Sequence, residues 1–240
     1  MRDQLPELPL RAIQDRRPAV HCLTNTVVQG ITANMLLALG AIPSMSADIS
    51  EVVDFVRGAD ALLVNLGTLD PVRKQAIERA IEQAQAKSIP WILDPVLVDR
   101  APARLGYARE LLALGPTVIR GNKGEIAALG PDATSLAQSS GAVVAVTGAT
   151  DFITDGAREL TLEGGHSLMS RVTGIGCAGT ALIAAFCAVS RPDAMFTAVT
   201  EGLTLLGSAG ERAAISNAGP GGFAAAILDQ IYQSSQSSLG

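Results

Sequence analysis

Aromatic side chains are scarce in this chain: Phe, Tyr and Trp together make up 3% of its 240 residues. Stacking platforms for single-stranded nucleic acid are built from such residues, so their shortage argues against that mode of binding. The core must instead be made of Ala, Leu, Val and Ile, as expected where helices pack closely on a parallel sheet. Histidine is rarer still, with only His21 and His166. Cysteine occurs three times, as Cys22, Cys177 and Cys187, an odd number at uneven spacing. That pattern argues against a disulfide framework, a CxxC metal site and zinc. Positive charge is not in excess either. The 18 Lys and Arg against 23 Asp and Glu leave a net charge of -5 and a pI near 5.0. Nothing here draws nucleic acid or an anionic membrane to the protein. The longest apolar run, around Ala178 to Val189, falls short of the roughly 20 residues a membrane span needs. Met1 to Glu7 is polar and interrupted by Pro6, which is unlike the apolar core of a signal peptide. A cytoplasmic protein with a small-molecule partner is the expectation.

Apolar residues are plentiful, at 48% of the chain with a mean hydropathy of +0.31. That is enough to bury one large core, so residues 1–240 are expected to form a single domain, with 234–240 a frayed tail. Short apolar runs alternate with helix-length segments: Ala61 to Leu66, then Asp70 to Lys87, then Pro90 to Val96. The alternation continues through a helix near Leu105 to Leu114, a strand Thr117 to Arg120, a helix near Gly124 to Leu129 and a strand Ala142 to Thr147. This is the signature of an α/β protein with a mostly parallel sheet flanked by helices and connected by right-handed crossovers. Asp151 to Gly156 and Glu159 to Leu162 break the pattern and resemble an antiparallel hairpin at a sheet edge. From Gly176 to Gln233 the chain reads as three helices, the middle one near Asp193 to Ser216 and the last beginning at Pro220.

In a parallel sheet of this kind, ligands sit beyond the C-terminal ends of the strands. The residues found there form a coherent set: Asn65-Leu66-Gly67-Thr68, Asp94-Pro95, Arg120-Gly121-Asn122 and Thr147-Gly148. The most informative segment comes later. Arg171-Val172-Thr173-Gly174-Ile175-Gly176-Cys177 leads into a small-residue helix, Ala181 to Ala188. Glycines at a helix mouth let backbone N–H groups converge on an anion, which the helix dipole favours. Cys177 in the first helical turn is placed where a thiolate is favoured, below the ordinary thiol value of about 8.5. It could therefore take a proton from a substrate hydroxyl. Phosphoryl transfer to an alcohol is the chemistry this pairing suggests; the structural alternative is a glycine-capped turn with a packed cysteine.

Read together, His21-Cys22-Leu23-Thr24-Asn25, Leu36 to Met45, Asn65-Leu66-Gly67-Thr68-Leu69, Leu93-Asp94-Pro95-Val96, Val118-Ile119-Arg120-Gly121-Asn122, Glu125-Ile126, Val144-Ala145-Val146-Thr147-Gly148, Val172 to Cys177 and Gly219-Pro220-Gly221-Gly222-Phe223 form an ordered series. The series, running from about His21 to about Tyr232, resembles the hydroxyethylthiazole kinases of the ribokinase-like superfamily. The resemblance implies a ribokinase-like three-layer fold. It also implies ATP-dependent phosphorylation of 4-methyl-5-(2-hydroxyethyl)thiazole toward thiamine, and a homotrimer with active sites between subunits. It places Met45, Gly174 and Asn25 against the thiazole and Arg120 and Thr147 against ATP. Gly174, Gly176 and Cys177 form the anion hole, with Cys177 also the proton acceptor. Asp94 and Glu125 take the positions that hold Mg²⁺ directly or through water, in keeping with the one or two carboxylates that Mg²⁺ usually takes. A thioether such as Met45 suits the face of a flat sulfur heterocycle. His21 beside Cys22 is read as structural, because adjacent strand residues point to opposite faces.

Three features depart from the family pattern. Ile175 stands where a second anion-loop threonine is usual, Leu97 to Pro102 replaces a glycine-rich run, and the segment between Glu125 and Val143 is short. Arg104 could restore a positive contact near the altered run. A hydroxymethylpyrimidine-type kinase and a non-catalytic nucleotide- or thiazole-binding relative are the alternatives these departures raise. A dehydrogenase is disfavoured, since no GxGxxG follows the first strand.

Overall fold

The computed structural model describes residues 9–237. In chain order its elements are α1 (Pro9–Arg16), β1 (Ala19–Leu23), α2 (Gln29–Leu39), β2 (Ile42–Ser44), α3 (Val52–Arg57), β3 (Ala61–Asn65), α4 (Pro71–Lys87), β4 (Trp91–Asp94) and α5 (Pro102–Leu112). They continue with β5 (Val118–Asn122), α6 (Lys123–Leu129), α7 (Ala133–Ser140), β6 (Val143–Thr147), β7 (Thr150–Thr154), β8 (Glu159–Glu163), α8 (Ile175–Val189), α9 (Met195–Ile215) and α10 (Pro220–Ser237). The strands form one eight-stranded sheet in the order β2-β1-β3-β4-β5-β6-β7-β8. Neighbours from β2 through β6 are parallel. The β7–β8 hairpin adds two antiparallel strands at the edge, as the sequence pattern suggested.

Alternate residues of the central strands divide the core in two. Leu62 and Val64 of β3 face a cluster with α3 to α7, whereas Leu63 faces a cluster with α2, α8, α9 and α10. Both faces of the sheet are therefore covered, which explains why its strands read as unbroken apolar runs. Helix α8 lies under the middle of the sheet, and its residues from Ala178 to Cys187 are all buried. Its many Ala and Gly residues let it lie close to the strands, with Phe186 its one aromatic. Local signals fix several boundaries. Asp70 caps α4 by accepting from the Arg73 N–H at 2.8 Å, ahead of Pro71, an arrangement worth about 1 kcal/mol. Gly40 closes α2 in the left-handed conformation at φ 97°.

Two expectations change. Helix α10 runs on through Ser237 with Ser235 fully buried, so 234–237 is helical, while 238–240 lies outside the described residues. The short stretch between Glu125 and Val143 still accommodates a helix, α7, which Asp132 caps through the Ser135 N–H at 2.7 Å. The polar segment Met1 to Glu7 also lies outside the described residues.

Strand order decides where a ligand can go. From β1 the chain moves outward to β2, then returns to place β3 on the other side of β1. Connections leave β1 and β3 in opposite directions, which opens a crevice beyond their C-terminal ends.

Candidate active site

Asn25 follows β1 and Asn65 ends β3, so the two amides flank that crevice. Asn25 Nδ2 donates to Asn65 Oδ1 at 3.2 Å and to Cys177 Sγ at 3.7 Å. Asn65 Oδ1 also accepts from the Gly67 N–H at 3.0 Å, which fixes the amide so that its Nδ2 donates to Asp94 Oδ2 at 2.8 Å. Thr180 Oγ1, one turn after Cys177 on α8, donates to the same carboxylate oxygen at 3.0 Å. A single chain of hydrogen bonds thus joins the ends of β1, β3 and β4 to the first turns of α8. Asp94 is buried, and its Oδ1 accepts no hydrogen bond among the described residues.

Burial raises the Asp94 carboxyl to about 6, with Glu125 adding to the rise and Arg120, Asn65 and Thr180 opposing it. Cys177 differs from the sequence expectation. Burial, and then the charge of Asp94, push its thiol up to about 12, outweighing the Asn65, Arg120 and Asn25 contributions that lower it. The helix N-terminus does not leave a resident thiolate, because the crevice excludes water and places a carboxylate next to the sulfur.

The entrance to α8 is shaped by two glycines. Gly174 has φ 94°, and a Cβ there would lie 2.7 Å from Ile31 Cγ2 and 2.9 Å from Val28 Cγ1. Only glycine fits such a conformation at such a distance. A Cβ on Gly176 would lie 3.1 Å from Arg120 Nη1, so the guanidinium rests against the bare first turn of α8. Arg120 Nε is buried without a hydrogen-bond partner among the described residues. Arg120, Thr147 and Gly176 open onto a cavity of about 630 Å³ whose far wall includes Gly164, Leu203 and Gly207. The Thr147 hydroxyl reaches the Gly121 carbonyl at 3.4 Å. Ile175 lines the same cavity but is 2% exposed and packs into the α8 cluster, so apolar packing occupies the position of the expected hydroxyl.

Glu125 serves a capping box on α6. Its Oε2 accepts from the Asn122 N–H at 2.8 Å, while Asn122 Oδ1 accepts from the Glu125 N–H at 2.9 Å. Its Oε1 accepts from the Leu97 N–H at 2.8 Å and so anchors the altered stretch after Val96. Arg104 braces that stretch by donating to the Val96 carbonyl at 2.9 Å. No group of three or more His, Cys, Asp or Glu that could hold a metal exists among the described residues. The donor set still fits Mg²⁺ bound with a nucleotide, which takes one or two carboxylates, phosphate oxygens and water. Asp94 offers a free oxygen, and Glu125 supplies a second negative charge nearby.

The sequence-derived residues therefore fall into three groups. Asn25, Asp94 and Cys177 are linked by hydrogen bonds through Asn65; Arg120, Thr147 and Gly176 line the cavity; and Gly174 joins the two at the helix mouth. Met45 follows edge strand β2 and packs against the α8-side cluster, without a hydrogen bond to the network. Asn65 was read among the residues past the strand ends, though without a role of its own. Two further positioning residues, Thr180 and Arg73, escaped the sequence reading; the spacing of Thr180 three residues after Cys177 on a helix was a usable signal. Arg73 was not legible. Its guanidinium is buried and donates to the carbonyls of Thr24, of Asn65 at 3.2 Å and of Leu23 at 3.4 Å. That hold ties together the strand ends that carry Asn25 and Asn65.

A six-strand parallel core with an antiparallel edge, and an anion-ready helix mouth at its crevice, define a ribokinase-like fold. A ribokinase-like superfamily protein from Enterococcus faecalis shares it at a TM-score of 0.71 with 15% identity, over 92% of this chain and 87% of that one. The chain belongs to the hydroxyethylthiazole kinase family, whose model matches residues 10–133 and 131–237. It is a kinase. It is 45% identical to the hydroxyethylthiazole kinase of Serratia proteamaculans, over 93% of this chain and 91% of the relative. To that of Cronobacter sakazakii it is 46% identical, over 90% and 88%. The hydroxyethylthiazole kinase structure from Pyrococcus horikoshii superposes with a TM-score of 0.90 at 38% identity, over 94% of this chain and 91% of that chain.

Proposed function

We propose that the protein transfers the γ-phosphoryl group of ATP to the primary alcohol of 4-methyl-5-(2-hydroxyethyl)thiazole, a salvage step toward thiamine. The observation that carries this reading is the hydrogen-bonded chain from Asn25 to Thr180, set beside the Arg120 cavity and sharing the mouth of α8 with it. The cavity takes the nucleotide, with Thr147 on its wall. The guanidinium of Arg120, on the cavity wall, faces the phosphates. The N–H groups at the start of α8, between Gly174 and Cys177, have no partners one turn earlier and form the anion hole for the transferring group. Met45 supplies an apolar wall for the thiazole. Asn25, both of whose bonds are made through Nδ2, keeps its Oδ1 as an acceptor toward the substrate.

The new O–P bond forms as the bond from the γ-phosphorus to its bridging oxygen breaks. The Cys177 thiol, pushed up to about 12 in the ligand-free protein, first gives its proton to water; the thiolate then takes the alcohol proton, and ADP leaves. A Mg²⁺ held at Asp94, with Glu125 acting through water, would supply positive charge that neutralises phosphate oxygens and offsets the effect of Asp94 on the thiol. Phosphoryl transfer depends mainly on positioning and electrostatics, and a general base contributes about 10²–10⁴-fold. Cys177→Ala is therefore expected to lower kcat by that order and leave the KM for ATP in place; an unchanged kcat removes the base assignment. We further propose a cytoplasmic homotrimer with sites between subunits. Exposed apolar Ile42 on edge strand β2, Leu37 on α2 and Val27 in the loop after β1 favour such an assembly, and light scattering on a sizing column tests it, a monomeric mass counting against it.

The deciding experiment offers the protein Mg-ATP with the thiazole alcohol and, in parallel, with hydroxymethylpyrimidine, and identifies the phosphate esters by mass spectrometry. Thiazole phosphate alone is expected. Pyrimidine phosphate alone, or ATP binding with neither ester, overturns the reading.

A further inference from the structure

His21 lies within β1 and is fully buried. Its ring stacks on Phe55 of α3, with centroids 5.5 Å apart and planes 15° apart. Nδ1 is 2.8 Å from Ser44 Oγ, and Nε2 is 2.9 Å from the Ser46 carbonyl oxygen. A carbonyl only accepts, so Nε2 carries the proton and Nδ1 accepts from the Ser44 hydroxyl. Burial lowers the imidazole to about 4, which keeps the ring neutral, and this pair of bonds intact, at neutral pH.

The residue between those two anchors is Met45. Strands β1 and β2 run parallel with His21 opposite Ser44. Successive residues of an extended chain point to opposite faces. A clamp that holds residues 44 and 46 on the α3 side therefore sends residue 45 to the other side. Met45 does pack against the α8-side cluster, which contains Ile175 and Ala178 on either side of Cys177. Beyond Ser46 the described chain has no strand partner until α3 begins; the segment is held by its own side chains, by Arg79 of α4, which donates to the Ile49 carbonyl at 3.4 Å, and by Ala47 and Ile49 packing on the α3–α7 side. The Ser46 hydroxyl donates to Glu51, and the Ser50 N–H donates to Asp48 at 2.7 Å. His21 ties the Ser44–Ser46 end of this segment to the sheet.

We propose that His21 is a positioning residue for the alcohol substrate: by gripping Ser44 and Ser46 it fixes Met45 as a wall of the substrate pocket. The inference rests on the reading of Met45 as a thiazole contact.

The test is steady-state kinetics on the full chain, varying the thiazole alcohol and ATP separately, for Met45→Ala, His21→Leu, Ser44→Ala and the His21→Leu/Met45→Ala double variant. Losing one well-placed apolar contact corresponds to about tenfold in the KM for the thiazole alcohol. Met45→Ala and His21→Leu should each show that rise, with kcat and the KM for ATP within about twofold of the parent. The double variant should be no worse than the poorer single variant, since both act through one contact. His21→Gln, whose amide can donate to the Ser46 carbonyl, should recover most of the loss. If Met45→Ala raises the KM but His21→Leu does not, the inference fails while the substrate reading stands. If Met45→Ala has no effect, the reading beneath it fails. A parallel loss in both KM values and kcat marks His21 as a general structural residue and also overturns the proposal. Should His21→Leu not fold, Ser44→Ala carries the same comparison, an unchanged thiazole KM again counting against it.

Discussion

Replacing Asp94 by Asn should make the ligand-free protein more stable at neutral pH while disabling it as a kinase. Asp94 is fully enclosed, and its carboxyl is raised from the ordinary 3.8 to about 6, chiefly by burial and then by Glu125. Below about pH 3.8 the folded and unfolded chains both carry the protonated acid, and the ionised form costs nothing. As pH rises from there to about 6, the unfolded chain ionises first, so the wild-type fold loses stability. The full cost is present above 6 and, for a rise from 3.8 to about 6, amounts to about 3 kcal/mol. An Asn side chain keeps an oxygen for the Asn65 amide and the Thr180 hydroxyl, which now bond Oδ2 at 2.8 and 3.0 Å, and it carries no charge. For a chain of this size each kcal/mol moves Tm by about 2–4 °C, so the variant should melt about 6–12 °C above wild type at pH 7. The gap should close toward pH 4. Thermal scans of both proteins without nucleotide or Mg²⁺, from pH 4 to pH 8, read this directly. A gap that does not vary with pH, or a variant less stable than wild type at pH 7, would refute the electrostatic argument. Loss of activity in the same protein would show that the strained carboxylate is retained for chemistry.

The remaining expectations concern the crevice and the helix mouth. Cys177 and Cys187 are raised to about 12, and burial pushes Cys22 up as well, so the native protein at pH 7.5 should take up no iodoacetamide in the time a free cysteine peptide is alkylated. Rapid single labelling of Cys177, seen by mass spectrometry, would contradict the assigned direction. Arg120→Met removes the cation on the cavity wall; hydrogen bonds to charged groups are worth about 1.5–3 kcal/mol, so the KM for ATP should rise about 10- to 100-fold. An unchanged KM would place the phosphates elsewhere. Gly174→Ala forces a non-glycine residue to φ 94° against Ile31, which should cost about 1–2 kcal/mol in backbone strain and lower Tm by at least about 2–8 °C. A neutral result would mean that the loop relaxes freely.

Much of this architecture was written locally. Unbroken apolar runs such as Ala61 to Val64 announce strands covered on both faces, and Asp70 with Pro71, Gly40 and Pro220 punctuate helices through short-range sterics and capping, which need no knowledge of the fold. The positions of Asn65, Asp94, Arg120 and Thr147 past strand ends were also legible, because a parallel sheet always presents those ends to its ligand side. Helix α7 was missed because Ala133 to Ser140 is short and rich in Ser and buries only Leu136 and Ala137, so that it depends on its cap and on packing against the sheet.

Electrostatic character lay beyond local reading. From its place in the first turn of α8, Cys177 was expected to favour the thiolate; burial and Asp94, distant in sequence, reverse that. The spacing of Asn122 and Glu125 signals the capping-box bond of one Glu125 oxygen, but nothing in sequence shows that the other bonds the Leu97 N–H. His21 and Arg73 look like ordinary strand and helix residues until the fold brings Ser44 with Ser46, and the carbonyls of Leu23, Thr24 and Asn65, within their reach. The sequence by itself determined the order of the elements, the glycines at the helix mouth and the types of side chain brought to the crevice, because these depend on propensity, periodicity and covalent neighbours. Only the tertiary structure decided which of those side chains share a proton, a carboxylate or a clamp, since burial and through-space charge act between groups that the chain order keeps far apart.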